Sequence, residues 1–312
     1  MSLSPAITRI YRIRLPHSDS HPGNFELLHT LVSPVSQVAR TIDPALDILV
    51  LSSVSFVDVV AAKTSDIPAS PDTTGNFAET RMRIDSQSED LEDVLNGIVT
   101  TQIMGPYIVL FKSRSIELHP LRIDLEPPNQ PYFESRPQRV LEHHFPSITF
   151  RMVSSSDCLC TSQRLSFSFF GYDFLKGIFR YKVDIRFAPG LPDGTSLNVD
   201  CVGVYSMADP ETSGIQAGVS SRGFVSALAL GAQGKRAVWV ERRRGSTVRE
   251  VLVWAQPPTR EVEDESITIP RHVVYRLESY DLREDLTHCA IGEISGKIVV
   301  GNRSGNVFVL YA

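Results

Sequence analysis

Short runs of apolar or alternating residues, each closed by turn-forming residues, recur along the whole of this 312-residue chain. They fall at 45–51, 56–62, 98–104, 107–112, 115–121, 148–153, 164–170, 178–187, 199–205, 225–230, 237–241, 248–254 and 273–277. Val, Ile, Phe, Tyr and Thr fill them, which suits a pleated, half-buried surface. Gly105-Pro106 and Ser113-Arg114 punctuate one tight triplet. Three more runs close the chain, at 289–294, 297–301 and 307–310, joined by Ser295-Gly296 and by a loop containing Gly305. Short Gly-bearing connections of this kind are hairpin linkers. The chain therefore reads as successive antiparallel hairpins.

Helical periodicity is scarce. Residues 89–96, with Ser88 as N-cap and Gly97 as stop, make a candidate of about two turns. Strands do not alternate with longer helices, which argues against a parallel α/β sheet. Proline-, serine- and acid-rich loops at 63–76, 125–137 and 256–266 read as surface excursions. Strand triplets start near Gln37, Gly97, Ser147, Asn198, Phe224 and His288. A recurring meander that cannot bury both faces alone predicts an all-β chain, a β-propeller of about six blades (five to seven). A β-sandwich or a pair of barrels is the alternative. The whole chain, 1–312, is read as one domain, with 1–36 an N-terminal strand plus linker. The strand at 7–14 is expected to complete the C-terminal blade.

Charge and cysteine content narrow the functional classes. Lys plus Arg is 31 and Asp plus Glu is 36, and the two signs are mixed along the chain, which disfavours a nucleic-acid partner. The most apolar stretch, 48–62, is broken by Ser52, Ser53, Ser55 and Asp58, so no membrane span is expected. Four cysteines do not make a disulfide scaffold, and the arginine-bearing N-terminus has no signal-peptide core. These readings predict an intracellular protein, cytoplasmic or nuclear.

Catalytic and metal signatures are sparse. The stretch 231–235 has the glycines and lysine of a phosphate loop, but Ala229 and Arg236 stand where Gly and Ser/Thr are needed, so it reads as a hairpin turn. Cys158 and Cys160, two apart, put their thiols on one face of a strand, but no second pair completes a zinc site. His143 and His144 diverge. Asn302-Arg303-Ser304 reads as a turn. No catalytic, cofactor-binding or metal-binding residue is assigned. Arg242, Arg243 and Arg244 read as the charged tip of a hairpin that could meet an anionic group. Trp239 and Trp254, on neighbouring strands, are either core residues or anchors for a partner. These five are the candidate partner-binding residues.

The C-terminal segment 289–301, ending in 305–310, resembles the last blade of the propellers in fungal F-box proteins, which are similar to WD-repeat propellers. The stretches 42–51, 103–110 and 237–241 fit the same set, although the Trp-Asp dipeptide that ends many blades does not occur. The resemblance implies a non-enzymatic scaffold that recognises substrate proteins for an SCF-type ubiquitin ligase. The F-box itself is not found, since Leu15-Pro16 is followed by His17-Ser18. A Skp-type adaptor is thus a partner only if an F-box is present elsewhere. The alternative is a propeller hydrolase or lyase using Asp47, Asp157, Asp184, Asp200 or His288.

Overall fold

The computed structural model describes residues 6–14, 24–33, 35–44, 46, 48–53, 56–62, 79–85, 96–121, 140–187, 195–206, 223–242, 245–257, 268–270 and 272–311. Most of these lie in antiparallel strands, so the expected all-β architecture is the observed one. Among the described residues the helical element is a single 3-10 turn, Leu282–Glu284, and no helix is long and apolar enough to cross a membrane.

The chain divides into two units. The first is Met1–Asp90 with Arg122–Leu125. It contains a hairpin, β1 (Ala6–Arg14) with β2 (Asn24–Ser33), and a meander of β3 (Val38–Asp43), β4 (Ile48–Ser52), β5 (Phe56–Ala62) and β6 (Glu79–Asp85). Every residue of β4, Ile-Leu-Val-Leu-Ser, is buried. An unbroken apolar run without alternation is the signature of a strand covered on both faces. Asp58 is buried in β5, and it is satisfied there by Arg83 (Nε to Oδ1 2.8 Å, Nη2 to Oδ2 3.0 Å) and by Gln37 Nε2 (2.8 Å). Full satisfaction is what makes a buried carboxylate tolerable.

The second unit is Leu91–Leu121 with Glu126–Ala312. Its first sheet is β7 (Ile98–Met104), β8 (Tyr107–Lys112), β9 (Ser115–Pro120) and β10 (Leu141–His144). The next is β11 (Phe150–Ser155), β13 (Arg164–Asp173), β14 (Gly177–Phe187) and β15 (Thr195–Tyr205), with the two-residue β12 (Leu159–Cys160) beside β13. Then come β16 (Phe224–Leu230), β17 (Arg236–Arg242), β18 (Val248–Ala255) and β19 (His272–Glu278), and finally β20 (Leu286–Gly292), β21 (Lys297–Asn302) and β22 (Val307–Tyr311).

These four sheets pack face to face in chain order, as blades do. Phe111, Ile116 and Leu118 of the first meet Phe167, Phe169 and Ile185 of the second. Phe170, Tyr172 and Ile178 of the second meet Ala237, Trp239 and Leu252 of the third. Val238, Val240 and Val251 of the third meet Ile298 and Val300 of the fourth. The period of two explains the third sheet: Ala237 and Trp239 face one neighbour, Val238 and Val240 the other. Side-chain hydrogen bonds also link the leading strands, from the Leu230 amide to Ser154 Oγ (2.9 Å) and from Ser226 Oγ to the Leu286 carbonyl (2.6 Å).

Two expectations are corrected. The strand at 7–14 does not extend the sheet of β20–β22: β1 pairs along its length with β2, a hairpin whose second strand the apolar pattern did not reveal. Asn198 does not begin a sheet; it lies within β15, the fourth strand of its own sheet, paired with Asp184 of β14. The helix at 89–96 falls outside the described residues up to position 95, as do the loops 63–76 and 125–137 and most of 256–266.

Candidate interaction surface

Three of the five candidate partner-binding residues, Trp239, Trp254 and Arg242, are described. Trp239 is fully buried and Trp254 nearly so. Trp239 lies 5.2 Å from the Tyr205 ring, and Trp254 lies 5.4 Å from Phe170 and 4.4 Å from the Arg180 guanidinium. The anchor reading of the two tryptophans is therefore replaced by the core reading. β17 and β18 are covered on both faces, so their indoles face neighbouring sheets and leave no face for a partner. Arg243 and Arg244 lie outside the described residues.

Arg242, the last residue of β17, faces the fourth sheet. Its Nη1 donates to Asp285 Oδ1 at 3.1 Å. Cross-strand from it stands Arg249 of β18, which is 1% exposed. Arg249 Nε donates to the same Asp285 oxygen (2.7 Å), and Nη1 donates to the carbonyls of Thr247 (2.7 Å) and Ser279. A buried guanidinium needs a carboxylate and carbonyl acceptors in matching geometry, and this one has them.

The consequence falls on the connection between β19 and β20. Arg249 holds its start at Ser279 and its end at Asp285. The Ser279 amide also donates to the Thr247 carbonyl (3.1 Å), and Ser304 donates through both its amide and its hydroxyl to the Arg283 carbonyl (both 3.1 Å). Asp281 caps the 3-10 turn, accepting from the Arg283 amide at 2.9 Å. That amide and the Arg283 guanidinium hold the Asp281 carboxyl below the usual carboxylate range. Between the fixed points, Tyr280 is 88% exposed, Leu282 57%, and the Arg283 side chain 81%. Tyr and Arg are the residue types that interface hot spots favour, and here both stand exposed on a turn held at its two ends.

Arg242 thus belongs to this end of the molecule as a support. The turn itself escaped sequence reasoning, because Ser-Tyr-Asp-Leu-Arg-Glu-Asp has neither strand nor helix period. The available signal was the Asp281-x-Arg283 capping spacing.

At the opposite end of the same sheets, the turn at 231–235 is the hairpin turn that its sequence suggested, and it is an anion nest filled from within. Glu293 reaches over from the β20–β21 turn and accepts from the amides of Gln233, Lys235 (2.6 Å) and Arg236 (2.8 Å). A Cβ at Gly231 would stand 2.7–2.8 Å from the Glu293 side chain, so glycine is what lets the carboxylate in.

The residues considered for catalysis are dispersed. Asp157 is exposed before β12, and its amide donates to the Ala232 carbonyl. Asp184 on β14 pairs with Arg164 (2.5 Å) and Arg186 (3.4 Å). Asp200 accepts from Asn198 (2.6 Å), and exposed His288 contacts Thr287 (3.0 Å). Asp47 lies outside the described residues. Glu117 is contacted by Lys112 and by His119 Nε2 at 3.0 Å. Burial alone would raise its carboxyl, but these bonds hold it below the usual range. Among the described residues no group of three or more His, Cys, Asp or Glu could hold a metal ion.

No protein-family model and no curated protein matches the chain. It is similar to solved WD40 domains. One is that of Neurospora crassa Pan2, at 10% identity and a TM-score of 0.39, covering 88% of this chain and 74% of that one. Another is that of SCAP from fission yeast, at 12% identity and a TM-score of 0.44, covering 97% of this chain and 65% of that one.

Proposed function

We propose that this chain is a non-enzymatic protein-interaction scaffold whose contact surface is the turn between β19 and β20. The observation that carries this reading is the pinning of exposed Tyr280, Leu282 and Arg283 by buried Arg249 through Ser279 and Asp285. A turn fixed before binding loses little conformational freedom on association, so its exposed side chains are used efficiently. The resemblance of the C-terminal stretches to fungal F-box propellers supports a finer role: recognition of substrate proteins for an SCF-type ubiquitin ligase, the Skp-type adaptor joining only through an F-box.

The test is affinity capture with the full chain and with a Tyr280→Ala/Leu282→Ala variant of unchanged circular dichroism. A protein held by the first and released at least tenfold more readily by the second supports the reading. Equal capture by both, or no specific protein on either, overturns it. Co-capture of a Skp-type adaptor and a cullin bears on the finer role alone.

A further inference from the structure

We propose that β22 is a dimerisation edge: in solution it pairs antiparallel with β22 of a second copy of this chain, Val309 facing Val309 across a two-fold axis. The other three sheets of the second unit hold four or five strands, and the sheet β20-β21-β22 holds three. Among the described residues no strand pairs with the outer edge of β22. An open strand edge is a template for pairing, and chains blunt it with charge, proline or a bulge. The strands that close the other three sheets are blunted in this way. β10 carries Glu142. β15 carries Asp200 and a register shift against β14, and β19 carries Arg276, Glu278 and a register shift against β18. β22, Val-Phe-Val-Leu-Tyr, has neither charge nor proline, and its ladder with β21 runs without a shift.

The hairpin fixes which backbone groups are open. The Asn302 amide donates to the Asn306 carbonyl (3.0 Å) where β21 and β22 meet. Antiparallel ladders alternate bonded and non-bonded pairs. Phe308 and Leu310 therefore point their backbone groups at Val300 and Ile298, while Val307, Val309 and Tyr311 turn theirs outward. A two-fold axis through Val309, perpendicular to the sheet, sets Val309 against Val309, Val307 against Tyr311 and Phe308 against Leu310. The outward-turned groups then meet one another, so both N–H···O bonds form at each such pair. Every cross-strand pair is apolar, and no like charges are set opposite each other.

The same axis keeps each face of the sheet on its own side. Phe308 and Leu310 lie on the face packed against β16–β19. On the other face Val307 is 66% exposed, Val309 51% and Tyr311 75%. Val299 of β21 is the cross-strand partner of Val309, so pairing makes one unbroken valine row across both copies. The interface is self-complementary, as a two-fold contact requires. Two short strands bury little beside the ~1,200–2,000 Å² of a standard interface, so the expected dissociation constant is on the order of 10–100 μM.

The test is sedimentation velocity of the full chain from about 1 to about 300 μM, a range that brackets this affinity. The wild type should pass from monomer to dimer. Val309→Lys and Val309→Glu alter a half-exposed side chain, so circular dichroism should stay unchanged, but each places like charges together at the axis. Each alone should associate at least tenfold more weakly, and an equimolar mixture of the two should dimerise again. Amide exchange over 307–311 should slow with concentration in the wild type and not in Val309→Lys. A wild-type chain that stays monomeric overturns the proposal, whether its edge remains open or takes up a strand of another protein. Variants that associate as the wild type does overturn it too, and so does a mixture that stays monomeric.

Discussion

Two seams of the second unit are built from different materials. Between the β7–β10 and β11–β15 sheets the contact is aromatic: Phe111 lies 5.3 Å from Phe169 and 6.3 Å from Phe167, and Tyr107 lies 6.2 Å from Phe187. Between the β16–β19 and β20–β22 sheets it is aliphatic, Val238, Val240 and Val251 against Ile298 and Val300, and it is fastened at each end by a carboxylate. Aromatic rings bury large areas. Valines bury less, and the second seam compensates with Asp285 at one corner and Glu293 at the other. The aromatic seam also carries neutral hydrogen bonds, from Gln102 to the Ser156 carbonyl (3.3 Å) and from the Phe150 amide to the Ser113 carbonyl (2.7 Å). The difference is that one seam adds neutral bonds to a large area and the other adds fixed charges to a smaller one.

Substitutions can break that contrast. Phe169→Ala should be the most damaging, about 4 kcal/mol of stability by urea denaturation, because a fully buried ring touching several others leaves a cavity. A loss below ~1 kcal/mol would show that the seam does not depend on its rings. Asp285→Ala should cost about 3 kcal/mol by leaving the Arg249 guanidinium buried without its counter-charge. The double variant Arg249→Met/Asp285→Leu sharpens this, since it should recover most of the loss if the uncompensated charge is the cause. Glu293→Gln keeps the shape of the clamp and removes its charge, so a loss of about 1–2 kcal/mol is expected. Tyr280→Ala should change stability by less than ~0.5 kcal/mol, as an exposed side chain serving recognition would.

The strands were legible because burial writes itself into local sequence. The runs at 56–62, 98–104 and 107–112 coincide with β5, β7 and β8. β2, β6 and β10 were not foreseen. Glu79–Asp85, Glu-Thr-Arg-Met-Arg-Ile-Asp, and Leu141–His144, Leu-Glu-His-His, are polar and short, and they are strands because a neighbour supplies the ladder. The proposed contact turn was illegible for a different reason. Arg249 and Asp285 stand 36 residues apart, and no periodicity marks an ion pair that strand register creates. The arginine run at 242–244 stands out by its charge, whereas its described member, Arg242, is paired with Asp285 at the end of the turn.

Glu293 sits on one sheet while the amides it holds belong to the turn of another, and Asp285 repeats the arrangement at the far corner. Sheets that touch only their neighbours can open one at a time. Here, peeling away β20–β22 also strips a counter-ion from Arg249 and uncovers the amide donors of the β16–β17 turn. The last two sheets should therefore open together as one cooperative block, with amide hydrogens in β17 and β21 exchanging at matched free energies.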